Sequence, residues 1–424
     1  MKAMAAKLYG KRDLRLDTFD LRPIREDEVL AEVISDGVCM SSYKTLVQGK
    51  DRPGVPQDID VNPVIIGHEF AARVAQVGER VRHLYNIGDK FAVQAAMVID
   101  GAPVAPGYNF TEFGGNATHV IVPANVLTSE YIIPFDRMPY FMASLGEPYA
   151  CILYALRSNY HFTPDKKGHA MGIKPGGAMA ILAGAGPMGL GMAELALGMN
   201  PRPGVLVVTD IDPSRLAYAA RVVSAERAEA AGVRLYYLNT AALPDPAAEL
   251  KRLSGGQGFD DIYVMAPVAA VVEQADAIGA YDACINFFSG PTDKGFAAKT
   301  NYYDVHYKAK HIIGSAGSDV QDMRDALAMM EAGDIRPEVM VTHIAGLDRA
   351  VGVTANLPQA PGGKKMLYTG LQLPLCAIED LGSMDDPLLR DLGEICARHD
   401  GLWCAEAEAH LLRHGTPILG EGRG

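Results

Sequence analysis

Over residues 1–135 the apolar positions come in short runs cut by Gly, Pro and Asp: "EVLAEVIS", "AARVAQVG", "DKFAVQAAMVI" and "THVIVPA". Runs of that length between turn residues predict an irregular, β-rich region. Residues 147–160, "EPYACILYALRSNY", predict a helix with Pro148 suited to its first turn. The rhythm changes at residue 178. "AMAILAGAG" predicts a buried strand, "PMGLGMAELALGM" a helix, "VLVVTD" a second strand, and "PSRLAYAARVVSAERAEAAG" one helix. "VRLYYLN", "DDIYVMA", "CINFFSG" and "HIIGS" continue the series of strands. Strands alternating with helices predict a parallel sheet covered on both faces. Past residue 318, "SDVQDMRDALAMMEAGDI" reads as a capped helix, and "DPLLRDLGEICARHDG" and "LWCAEAEAHLLRHG" as two terminal helices. The expected fold is α/β. A β-rich domain, built from 1–160 and 319–424 and carrying a helical C-terminal extension, flanks a doubly wound parallel-sheet domain over 161–318.

At 424 residues the chain is long enough for two cores. Its net charge of -12 argues against a nucleic-acid partner, which needs clustered Lys and Arg. The six cysteines are irregularly spaced with no CxxC pair, which favours neither a zinc ribbon nor a disulfide framework. Residues 178–199 approach the length of a membrane span. Their five glycines, Pro187 and Glu194 fit a strand, a glycine turn and a helix better. The N-terminus has no apolar run of signal-peptide length, so a cytoplasmic protein without a membrane partner is expected.

The turn "GAGPMG" sets Gly184, Gly186 and Gly189 in G-x-G-x-x-G spacing, with Pro187 and Met188 between them. Gly184 permits the tight turn, Gly186 lets the backbone approach a pyrophosphate, and Gly189 lets the helix pack on the strand. The motif follows a strand, opens a helix and precedes a second strand ending at Asp210. A carboxylate there suits the ribose hydroxyls and repels a 2′-phosphate, so NAD(H) is expected over NADP(H). Arg215 could reach the same ribose or be a solvated arginine in a helix's first turn.

In "GHEFAARVAQVG", His68 and Glu69 stand at the head of an apolar strand. Alone, such a pair is ordinary polar punctuation. Cys39 lies on a turn after a strand, and Glu147 heads a helix, where a carboxylate also meets the helix dipole. Thiolate, imidazole and carboxylate together suit Zn²⁺, although each residue singly has a structural reading.

These segments resemble the zinc-dependent medium-chain alcohol and polyol dehydrogenases over residues 20–370. "GVCMSSYK" is similar to the family's G-x-C-G-S/T-D turn, with Ser41 at the hydroxyl position. "GHEFAARVAQVGERV" keeps Gly67, His68, Glu69, Gly78 and Val81 of the zinc signature. "IGDKFAV" is similar to the strand that follows, and "GEPYA" to the sorbitol-dehydrogenase branch, in which a carboxylate replaces a cysteine. "IKPGGAMAILAGAGPMG" resembles the entry to the coenzyme domain. Ala72, Met40, Ser42 and Lys44 depart from the usual pattern; many members have histidine where Lys44 stands. Residues 91–115 hold no cysteine, so the four-cysteine structural zinc loop is missing.

The resemblance implies a GroES-like catalytic domain and a Rossmann coenzyme domain. It implies one catalytic Zn²⁺ held by Cys39 and His68, with Glu69 and Glu147 as alternating or outer carboxylates, and no structural zinc. Ser41 would relay a proton. A dimer or tetramer is usual among relatives. The "CMSSYK" turn, the insert at 100–115, "TNYYDVHYKAKHIIGSAGS" and the C-terminal extension look like the L-sorbose-1-phosphate reductases within that family. That likeness implies reduction of L-sorbose 1-phosphate to D-glucitol 6-phosphate, with Lys44 either on the substrate phosphate or simply solvated. The alternatives are a dehydrogenase of an unphosphorylated polyol or secondary alcohol, a metal-free enzyme of the same fold, and a non-catalytic dinucleotide-binding protein.

Overall fold

The strands and helices group into two units in a computed structural model that describes residues 1–420. The first unit comprises Met1–Pro148, Asp319–Leu327 and the chain from Val341 onward; the second comprises Tyr149–Ser318 and Ala328–Met340. The division therefore falls at Pro148 where the sequence suggested 160, and 328–340 groups with the second unit. The reason lies in packing. Tyr149 and Ile152 of the helix Gly146–Ser158, together with Met340, lie against Gly191 of the helix Pro187–Gly198.

In the first unit the main sheet runs in the order Ile132–Phe135, Lys90–Val93, Phe70–Val77, Val29–Gly37, Lys364–Tyr368, Val341–Gly346 and Cys376–Ala377. His119–Val122 also pairs antiparallel with Val29–Gly37. Inward side chains of these strands, among them Val29, Ala31, Val33, Phe70, Val74 and Phe91, form its core, as period-2 alternation requires. The terminal helices Pro387–Ala397 and Ala405–His414 belong to this unit. They are anchored by a buried polar network. Glu408 accepts from Tyr140 N at 2.6 Å, Phe141 N at 2.8 Å and the Tyr368 hydroxyl at 3.0 Å, and Trp403 Nε1 donates to Tyr368 Oη at 2.6 Å.

In the second unit six strands form a parallel sheet in the order 234–239, 205–210, 178–182, 259–264, 279–287 and 311–314. This is the doubly wound order, with the strand order reversing beside the strand Ala178–Leu182. The helix expected over 213–232 is broken in two, Pro213–Val222 and Ala225–Ala230. Ser224 breaks it by turning its hydroxyl back onto Arg227 N at 3.3 Å, an N-cap that competes with a continuous helix. The apolar segment 178–199 divides into the strand Ala178–Leu182 and the helix Pro187–Gly198, and its one charge, Glu194, is buried against Arg227 and Arg336. No helix among the described residues is long and apolar enough to cross a membrane.

Candidate active site

The strand Val29–Gly37 runs into the helix Met40–Gln48, and Cys39 is the flanking residue between them, extended at φ -106° and ψ 146°. The sequence suggested a turn here; the helix that follows it holds Ser41 and Lys44 on its first two turns. His68 and Glu69 immediately precede the strand Phe70–Val77, and Gly37 N donates to Glu69 O at 2.8 Å, which pins the two segments side by side. One ligand-capable atom from each of Cys39, His68 and Glu69 lies within 4.8 Å of the others. It is the one such group of ligand-capable side chains found among the described residues.

A ring of interactions orients this group. Glu69 N donates to Asp36 Oδ1 at 3.0 Å, and Asn116 Nδ2 donates to Asp36 Oδ2. Gly67 has φ +93°, and a Cβ there would strike the Asp36 carboxylate and Asn116, so only glycine fits. Glu69 Oε1 accepts from Lys364 Nζ at 2.7 Å, with both residues buried. Ser41 Oγ lies 3.0 Å from His68 Nε2 and also shares a hydrogen bond with the Tyr108 hydroxyl. The Tyr108 ring is 5.4 Å from that of His68, and the Arg52 guanidinium lies over Tyr108, 4.7 Å from its centroid.

Electrostatics follow from burial. Desolvation, then the Lys364 and Arg52 cations, lower the His68 imidazole to about 3, so it is neutral at pH 7. Desolvation and then the Glu69 carboxylate push the Cys39 thiol up to about 12. Burial opposes the Lys364 charge, but Glu69, Cys39 and Glu147 outweigh it and hold the ammonium above its ordinary range. Burial and then the Glu69 charge raise the Asp36 carboxyl.

Two buried atoms of the group, His68 Nδ1 and Glu69 Oε2, have no hydrogen-bond partner. Such atoms cost about 1–3 kcal/mol each. A cation among thiolate, imidazole and carboxylate would satisfy them and would ionise a thiol that burial otherwise keeps protonated. The donor set fits zinc. Glu147, at the head of its helix, stands within charge range of Cys39, Lys364 and Tyr108 but outside the 4.8 Å group. Lys44 is half-buried; desolvation lowers its ammonium, Cys39 opposes that, and Arg52 adds to it.

The glycine turn lies in the second unit. A Cβ on Gly189 would collide with Gly184 O, so the strand-to-helix approach demands glycine there. A Cβ on Gly184 would strike Ile181, whereas Gly186 faces open space within 4 Å. Gly186 flanks the helix that starts at Pro187 and Met188, and no side chain caps it. Its first N–H groups are therefore available to an anion. Asp210 ends its strand buried, with its carboxylate accepting from Ala185 N at 3.2 Å, Ile211 N at 2.9 Å and Asp212 N at 3.1 Å. It therefore holds the turn together as well as facing it. Arg215, in the first turn of the helix Pro213–Val222, lies 3.7 Å from the Asp212 carboxylate.

Sequence reasoning missed Lys364, Asp36, Asn116, Tyr108 and Arg52. Two signals were present: a lysine pair opening the apolar "KKMLY" and an aspartate closing the apolar "VIS" run. A charge set in a buried strand implies a buried partner. Nothing local marked Tyr108 or Arg52.

The alcohol dehydrogenase GroES-like domain matches residues 25–132. The chain is 42% identical over 414 residues to L-sorbose 1-phosphate reductase of Klebsiella pneumoniae, covering 98% of each. It is 42% identical over 412 residues to mannitol-1-phosphate 5-dehydrogenase of Aliivibrio fischeri, covering 96% of this chain and 97% of that one. The crystal structure of 2R,3R-butanediol dehydrogenase from Bacillus subtilis superposes with a TM-score of 0.69 at 22% identity, over 87% of this chain and 99% of that one, which supports the fold. With a GroES-like unit, a parallel-sheet unit and near full-length relatives at this identity, the chain belongs to the zinc-dependent medium-chain alcohol and polyol dehydrogenases.

Proposed function

We propose that this dehydrogenase transfers a hydride between NAD(H) and a hexose phosphate, with L-sorbose 1-phosphate and D-glucitol 6-phosphate as the substrate pair. The observation that carries the reading is the Cys39–His68–Glu69 group with its two unpartnered atoms, in a chain whose relatives are named for sugar-phosphate oxidoreduction. Cys39, His68 and Glu69 would hold one zinc ion, with Glu147 as a further carboxylate. Gly184, Gly186, Pro187, Met188 and Gly189 would cradle the pyrophosphate, with Asp210 and Arg215 at the ribose. The Asp210 charge favours NAD over NADP. When bound, zinc supplies a Lewis acid and the nicotinamide the hydride.

The chain's own residues do the rest. Lys364 balances the charge of Glu69 and holds its carboxylate in place. Asp36 fixes the Glu69 backbone. Ser41 Oγ, between His68 Nε2 and the Tyr108 hydroxyl, carries the proton exchanged with the substrate oxygen. Lys44 contributes positive charge beside the group. Cys39, Cys284, Cys376 and Cys396 are free thiols, as in a reducing compartment such as the cytoplasm.

The test is a substrate panel on zinc-loaded protein: L-sorbose 1-phosphate, mannitol 1-phosphate, sorbitol and a simple secondary alcohol, each with NAD(H) and NADP(H). The expected result is the highest kcat/KM for a hexose phosphate with NAD(H). A higher value for sorbitol would replace this substrate with an unphosphorylated polyol.

A further inference from the structure

Arg52 follows the short turn Gly49–Asp51 at the end of the helix Met40–Gln48. It is half-buried, and the described residues give its guanidinium one contact, the face of Tyr108. The acids nearest in sequence are engaged elsewhere: Asp51 with Lys11, Asp60 with Lys50, and Asp58 with Asn62. Tyr108 in turn touches the His68 ring, so the guanidinium stands two ring contacts from the candidate metal group. Lys44 is near enough for Arg52 to depress its ammonium. A half-buried guanidinium whose one contact among the described residues is a tyrosine face thus stands near the group proposed to take a substrate oxygen.

We infer that Arg52, with Lys44 beside it, holds the phosphate of the substrate and so selects a phosphorylated sugar. The inference rests on the proposed function of the same site and adds the residue that would recognise the phosphate. The chemistry favours an anion over sugar hydroxyls. A guanidinium offers a rigid fork of donors matched to two phosphate oxygens and has no acceptor for a hydroxyl proton. Stacking on Tyr108 fixes the plane of that fork before the ligand arrives, which lowers the entropy lost on binding. In a ketose 1-phosphate only C1 and its ester oxygen separate the carbonyl carbon from the phosphorus, so the phosphate must lie close to whatever holds the carbonyl oxygen. Arg52, two ring contacts from the candidate metal group, would meet that requirement.

The test uses purified zinc-loaded protein, wild type and the variants Arg52→Gln and Arg52→Lys. Two readouts are taken: KM and kcat for L-sorbose 1-phosphate and for L-sorbose, and calorimetric titration with inorganic phosphate. Loss of a charge-assisted bidentate contact predicts a KM for the phosphorylated sugar raised roughly 10- to 100-fold in Arg52→Gln, with a much smaller change for L-sorbose. Phosphate binding should weaken by a similar factor, and Arg52→Lys, which keeps the charge and loses the fork, should fall between. If wild type prefers the phosphorylated sugar and Arg52→Gln keeps that preference in full, the inference is overturned while the substrate reading stands. If wild type shows no preference, the substrate reading fails, and calorimetry alone decides Arg52. Phosphate binding lost in Arg52→Gln supports an anion site there; unchanged binding refutes it.

Discussion

Lys364→Met tests the charge arrangement around the candidate metal group most directly. Lys364 is 5% exposed, Glu69 is 1% exposed, and Nζ and Oε1 are 2.7 Å apart. The other Glu69 oxygen already lacks a partner. Removing the ammonium therefore strands a buried carboxylate in the metal-free protein. Breaking a buried pair on one side costs about 3–5 kcal/mol. At ~2–4 °C per kcal/mol for a domain of this size, the melting temperature should fall by roughly 6–20 °C. The double variant Glu69→Gln/Lys364→Met removes both charges and should recover most of that loss, a coupling of about 2 kcal/mol or more. Circular-dichroism melts of metal-stripped protein at pH 7 measure all four corners of the cycle. Adding zinc should restore part of the Lys364→Met loss, because a cation beside Glu69 replaces the missing one. A single variant melting within about 2 °C of wild type, or a cycle whose losses simply add, would refute the reasoning.

Cys39→Ser should abolish bound zinc, read by atomic absorption, and turnover with it, while NAD binding measured by calorimetry persists; retained activity would remove the metal assignment. Asp210→Asn keeps an acceptor for the turn and loses the charge, so the NADP to NAD ratio of kcat/KM should rise roughly tenfold; a constant ratio would place cofactor choice elsewhere. Asp210→Ala should in addition destabilise the turn, since three backbone donors lose their acceptor. Burial raises the Glu408 carboxyl from its ordinary 4.5 to about 7. The folded protein then binds that proton more tightly than the unfolded chain, so Glu408 makes stability fall as pH rises between those two values and stay level above them. The swing is on the order of 3 kcal/mol. Denaturation across pH 4–8 should show this slope in wild type and a flatter profile in Glu408→Gln; an equal slope in both would assign it to other groups.

The element series was legible because its signals are local. Apolar runs of strand length cut by Gly and Pro, the glycine turn opening an apolar helix, and Ser, Asp and Pro at helix starts all act within a few residues. The reading over 213–232 shows the limit of such signals: periodicity alone continued the helix, and one serine hydroxyl ended it at Val222. Division of the chain was less legible. Residues 149–158 look like any amphipathic helix, and only their contact with Gly191 shows which unit they join.

By itself the sequence determined the order of the elements, the strand–turn–helix that suits a dinucleotide, and the residue types able to bind a cation, since each depends on side-chain chemistry and spacing along the chain. Only the tertiary structure decided that Cys39, His68 and Glu69 stand together while Glu147 lies outside that group, that Lys364 neutralises Glu69 from nearly three hundred residues away, and that Arg52 lies on the face of Tyr108. Those facts depend on which strands lie side by side and on how burial strengthens charge. Sheet register and desolvation belong to the folded chain as a whole, and no local stretch of residues encodes them.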